Sequence, residues 1–442
     1  MKKNFLIFLL IFGFSWSSLS QSKFVLQDRD QDRINFKLIS NLIVIPVEIN
    51  GVTLSFILDT GVSKPIIFNF LNLAEDLEIN NTERIYLRGL GEGESIEALK
   101  SRNNVIKIGE AISISQDLYA VFDKSLNFAL QLGVPIHGII GYDFLKDFVV
   151  EINYSQKYLK IYSPEGYLAK KCKKCKHFDI QLFNKKPYIN ADIVINGNQI
   201  PVKLLIDSGG SDALWLFKDV SKNIILPEKY FDDFLGKGLS GSVYGKRTKI
   251  DEISFDGFSL KKVNTAFPDS TSIAFARKFK ERSGSLGGEI LKRFNIVLNY
   301  PSKKISLKKN KNFRNSFYYD KSGIVLEYDG VRVVKEIDNG SGMPYGIESN
   351  TINNTQIVLS NSYKFVLTPA FTIVQLRKDS PAEEVGLQLG DILLQINNKD
   401  AHLLTLQEVI QLFYGEDGKR VTLLIDRNGV QMRFKFYLKS LF

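Results

Sequence analysis

Cysteine and histidine are scarce. The 442 residues contain two cysteines and three histidines, and this shortage excludes whole classes of chemistry. A structural zinc site needs four ligands, and Cys172, Cys175 and the neighbouring His177 supply three at most. A redox Cys-x-x-Cys would stand at a strand-to-helix junction of a thioredoxin-like unit, not inside Lys170-Lys171-Cys172-Lys173-Lys174-Cys175. In an oxidising compartment a small local disulfide suits this spacing, with free thiols as the alternative. No metal or other cofactor is expected. After the first twenty residues no segment approaches 18 uninterrupted apolar residues, so no stable membrane insertion is expected. The net charge of +10 comes from lysines spread along the whole chain. No basic element interleaved with aromatics marks a nucleic-acid platform.

At 44% hydrophobic and 24% charged residues, the chain can bury the cores of about two to four domains. Residues 1–20 stand apart from them. Lys2 and Lys3 precede an apolar run from Phe5 to Phe14, and small residues lead to Ser18-Leu19-Ser20. That order is the order of a secretory signal peptide. Export follows as an expectation, to the periplasm, the cell surface or the medium. No cysteine follows the run to carry a lipid.

The rest of the chain repeats itself. Ile49-Asn50-Gly51 is followed by an apolar strand ending in Asp59-Thr60-Gly61-Val62. Later, Ile195-Asn196-Gly197 leads to a strand ending in Asp207-Ser208-Gly209-Gly210. Each reads as a hairpin on an Asn-Gly turn whose second strand runs into a sharp turn. Gly89-Leu90-Gly91 follows Asp59 by thirty residues, and Gly238-Leu239-Ser240 follows Asp207 by 31. Ile139-Ile140-Gly141 is matched by Ser285-Leu286-Gly287, and Asn153-Tyr154 by Asn299-Tyr300. The fold expected is mainly β, with a unit of about 120 residues duplicated about a pseudo-twofold axis.

In such a frame each glycine lets the chain turn and leaves the aspartate at the strand end, aimed into a cleft. Two carboxylates brought face to face cannot both ionise cheaply and share one proton. These motifs resemble the pepsin and retropepsin superfamily of aspartic peptidases. The resemblance implies two fused lobes and catalytic Asp59 and Asp207. Thr60, Gly61, Ser208 and Gly209 would support the catalytic turns, and Ile139, Ile140, Gly141, Leu286 and Gly287 would pack beside them. It also implies hairpin flaps, placed at Gly89, Leu90 and Gly91 and at Gly238–Gly245 with Leu239 and Tyr244. Val62, Gly210 and Ser285 depart from the family pattern. Asp207-Ser208-Gly209-Gly210 also resembles the active-site stretch of trypsin-like serine peptidases. That chemistry needs a histidine base and an upstream Asp, and neither His137, His177 nor His402 stands in such a context.

Further on, Ser380-Pro381-Ala382 through Gly386-Leu387 to Gly390-Asp391 resembles a PDZ domain, a β-sandwich with short helices. Such domains add a peptide as an extra strand and hold its terminal carboxylate on backbone amides. Ser322, Gly323 and Ile324 are the turn expected to hold it; an ordinary turn glycine at Gly323 is the alternative. The expected division is a leader (1–20), a first lobe (21–165), a lysine-rich linker with Cys172 and Cys175 (166–178), a second lobe (179–309) and a PDZ domain (310–442). An insertion interrupts the last around 330–369. Together they resemble the aspartyl-peptidase-plus-PDZ proteins of Bacteroidetes-like bacteria. A monomer acting on protein or peptide substrates is expected, with peptide C-termini as PDZ ligands. A non-catalytic peptide-binding scaffold is the alternative.

Overall fold

Asn50 and Gly51 both adopt positive φ, as do Asn196 and Gly197. This conformation, which asparagine and glycine tolerate best, folds a two-residue hairpin. The computed structural model describes residues 22–68, 77–79, 81–123, 126–169, 171–337 and 363–442. The expected leader lies outside them, as does 338–362 of the expected insertion.

Strands dominate, and the fold is mainly β. The first Asn-Gly turn joins Leu42–Ile49 to Val52–Leu58 in a nine-stranded sheet. The second joins Lys186–Ile195 to Asn198–Ile206 in an eight-stranded sheet. Each second strand also takes a short parallel neighbour. Gly138–Ile140 lies beside Phe56 to Leu58, and Gly284–Leu286 beside Leu204 to Ile206. Flanked on both sides, the ends of these strands bury all their side chains: Phe56, Ile57 and Leu58 in one repeat, Leu204, Leu205 and Ile206 in the other.

A six-stranded sheet joins the repeats. Val149–Asn153 pairs antiparallel with Phe294–Asn299, Val149 facing Asn299, Asn153 facing Asn295, and Glu151 meeting Val297 at the centre. One continuous apolar cluster holds residues of both repeats, from Ile43 and Phe56 to Leu204 and Leu298. Part of the expected linker belongs to this sheet, because Cys175–Asp179 pairs with Lys304 to Lys308 as its edge strand. Lysines at a sheet edge deter pairing with other chains. Cys172 and Cys175 are joined in a disulfide.

The last sheet has its own core, from Ile324 to Leu438. A strand starting at Ile324 runs on to Ile337 and pairs with Tyr363–Leu376 along its length. The described arms of the expected insertion therefore extend a β-hairpin. Ser380 caps the helix Pro381–Glu384. The second helix of this unit is Leu406–Phe413, opened by a capping box of Thr405 and Glu408. This unit rests on both repeats. Glu327 accepts from Gln131 at 3.1 Å and pairs with Lys237 at 3.6 Å. Ser40 donates to Gln407 at 3.0 Å. Phe231 stacks against Phe442 and lies beneath the Arg377 guanidinium.

Candidate active site

The buried strand ends determine where Asp59 and Asp207 emerge. Asp59 N donates to Ile140 O at 2.8 Å, and Asp207 N donates to Leu286 O at 2.9 Å. Each backbone is thus held on its short parallel neighbour as it leaves the sheet. Both chains then turn, with Val62 N donating to Asp59 O and Gly210 N to Asp207 O, each at 3.3 Å. Gly61 N also donates to Asp59 Oδ1 at 2.6 Å.

The residues after the aspartates lock the turns together. Thr60 Oγ1 donates to Ile206 O at 2.6 Å and accepts from Ser208 N at 3.0 Å. Reciprocally, Ser208 Oγ donates to Leu58 O at 2.7 Å and accepts from Thr60 N at 3.0 Å. Both hydroxyls are buried. Ser208 Oγ is therefore occupied by backbone groups of the opposite turn, as a brace rather than a nucleophile. His137 Nδ1 is likewise taken, by Ser55 N at 3.1 Å.

The brace brings the carboxyls together. A methyl group placed on Gly61 would lie 3.0 Å from Asp59 Oδ1 and 3.3 Å from Asp207 Oδ1. One on Gly209 would lie 2.2 Å from Asp59 Cγ, so only glycine fits there. Gly141, expected beside the first turn, would clash with Asp59 O in the same way. Burial pushes the Asp59 carboxyl up to about 7, with the negative charge of Asp207 adding to the effect. Burial also raises Asp207, opposed by Arg282 and Lys186. A pair of this kind holds one proton between two carboxyls. It can take a proton from water and give one to a carbonyl oxygen.

The expected flap segments meet each other. Ser240 N donates to Leu90 O at 2.9 Å, Gly91 N to Ser272 O at 3.0 Å, and Gly89 N to Ser240 Oγ at 3.1 Å. Leu90 packs against Phe217 and Ile273. Tyr244 lies apart from this contact, exposed and packed on Phe234.

At the PDZ-like turn the amides are already engaged. Asp320 Oδ1 accepts from Ser322 N at 2.7 Å, from Ser322 Oγ at 2.7 Å and from Gly323 N at 3.3 Å. Ile324 N donates to Ser322 Oγ. A carboxylate of the chain itself thus sits where a peptide terminus was expected. Asp320, Lys186, Arg282 and Ser272 escaped the sequence reading. For Asp320 a signal was present, since an aspartate two residues before a serine readily bonds that serine's amide.

Residues 45–144 match the aspartyl protease family model, and residues 372–427 match the PDZ domain model. The first match contains Asp59 and Gly141; Asp207 and the second repeat lie beyond it. No curated protein matches the chain.

Proposed function

We propose that this chain, which carries an aspartyl protease domain and a PDZ domain, is a two-lobed aspartic endopeptidase of pepsin and retropepsin type. Its lobes are 21–165 and 179–309, and Asp59 and Asp207 are its catalytic carboxyls. The observation that carries this reading is the reciprocal brace between Thr60 and Ser208, which holds two half-buried carboxyls beside Gly61. One carboxylate removes a proton from water as the water oxygen attacks the peptide carbonyl, and the carboxyl partner protonates the carbonyl oxygen. No covalent intermediate is needed.

The protein acts as an exported monomer, in the periplasm, at the cell surface or in the medium. Its PDZ unit positions extended protein or peptide substrates near the cleft. Capture of a free C-terminus requires Asp320 to leave the Ser322 and Gly323 amides, so extended internal segments are the favoured ligands.

The test is cleavage of a mixed, denatured protein substrate by the chain lacking its leader, between about pH 3 and pH 8. Cleavage blocked by a statine-type transition-state mimic, and lost in Asp59→Asn and Asp207→Asn variants that still fold, is the expected result. A well-folded wild type that cuts nothing would favour the peptide-binding scaffold instead.

A further inference from the structure

The C-terminal unit carries a groove that the first repeat already occupies. Its strand Ile324–Ile337 is the outermost of the sheet and pairs on one side only. The helix Leu406–Phe413 packs beside that strand, burying Leu406, Val409 and Phe413 with Ile324 and Leu326. Strand edge and helix are the two walls between which an added peptide strand would lie. The turn at Ser322 and Gly323 stands by the last residue of the helix, where Lys321 N donates to Phe413 O at 3.1 Å. A strand seated from that turn along 324–328 therefore heads for Leu406, at the opening of the helix.

That far end is filled. The helix Phe128–Leu132 of the first repeat packs against Ile324–Ile337. Gln131 Nε2 donates to Glu327 Oε1 at 3.1 Å on one wall. Two residues on, Gly133 abuts the other wall, where a methyl placed on it would lie 2.9 Å from Leu406 Cβ. Ser40 Oγ donates to the neighbouring Gln407 Oε1 at 3.0 Å. Residues 131–133 thus bridge the two walls, while Asp320 holds the amides at the near end. The seam is incompletely satisfied. Gln407 Nε2 is buried without a hydrogen-bond partner among the described residues, a donor that water would satisfy once the seam parts.

The same helix neighbours the second flap segment. Phe128 and Leu239 both pack against one buried cluster, which includes Leu126 and Leu132. Glu327 also pairs with Lys237 at 3.6 Å. Lys237 stands one residue before Gly238, where an added methyl would lie 2.2 Å from Leu90 O of the first flap segment. Glu327 is thus tied both to the segment filling the groove and to the root of the flap. Building on the peptidase reading, we propose that the C-terminal unit is a latch on the flaps. An extended peptide segment that adds along 324–328 displaces residues 131–133, parts Glu327 from Lys237 and loosens the flap contact, so that occupancy of the groove raises peptidase activity.

Charge exchange in the chain lacking its leader tests the latch. Glu327→Lys sets like charges against Lys237. It should speed hydrogen exchange of the amides at 127–133 and 237–241 and raise turnover of a short fluorogenic peptide about tenfold. Adding Lys237→Glu should restore both, which a local loss of structure would not do. Gln131→Glu sets a like charge beside Glu327 from outside the C-terminal unit. It should shift both readouts the same way, and it serves if Glu327→Lys fails to fold. Peptides selected from a randomised library on Glu327→Lys, with the cleft blocked by a statine-type mimic, should bind wild type about tenfold more weakly. Equal affinity overturns the displacement step. Unchanged exchange at 237–241 in both variants overturns the coupling, whatever the cleavage assay gives. Faster exchange with turnover no higher than wild type overturns the latch, yet leaves the peptidase reading standing if Asp59→Asn abolishes cleavage.

Discussion

Thr60 and Ser208 show how much one hydroxyl can do when it is buried between two turns. Each donates to a carbonyl and accepts from an amide of the other repeat. Removing one leaves both partners unpaired out of reach of water. Thr60→Ala should therefore destabilise the protein by about 2 to 4 kcal/mol, whereas Thr60→Ser should keep most of that stability. Chemical denaturation of the two variants checks this. The aspartates beside them behave oppositely. The folded Asp59 carboxyl is raised to about 7, above its unfolded value of about 4. Its contribution to stability is thus present at low pH and lost as pH rises through about 7. Asp59→Asn should flatten that slope, so that melting temperatures of variant and wild type differ more at about pH 8 than at about pH 4. The carboxyls and their hydroxyl partners were legible in the sequence because an apolar strand entering Asp-Thr-Gly or Asp-Ser-Gly is a local pattern. Lys186 and Arg282 were not, because they stand outside the two aspartate motifs and only the fold brings their charges to bear on the carboxyls.

At the scale of elements, the Asn-Gly hairpins and the apolar strands followed from turn chemistry and patterning. The expected flap segments were placed by their glycines, though their contact with each other was not foreseen. Gly91 adopts φ +123°, and a methyl there would meet Ser240 C at 2.4 Å. Gly91→Ala should separate the two tips and lower kcat/KM by about tenfold, with the melting temperature close to wild type. Steady-state kinetics beside a thermal melt would show it. The strand Cys175–Asp179 was misplaced because its lysine-rich surroundings read as a solvated linker, whereas it pairs along the sheet edge and packs Phe178 on Phe255.

Across the whole molecule, duplication and the C-terminal unit were legible, but the way that unit sits on the rest was not. Its contacts join residues far apart in the chain, such as Gln131 with Glu327 and Phe231 with Phe442. Phe231→Ala removes the surface beneath Arg377, Tyr319 and Phe442. It should make the connection at 310–323 the first site cut in limited proteolysis, with the two repeats left intact. The sheet between those repeats has a further consequence. Its central strands face each other as a self-complementary pair, Val149 to Asn299 and Asn153 to Asn295, which is how identical subunits meet about a twofold axis. Such a seam needs no covalent tether. The molecule is built like a gene-fused homodimer, and severing it at the exposed Leu168 should yield two fragments that complement each other and reassemble.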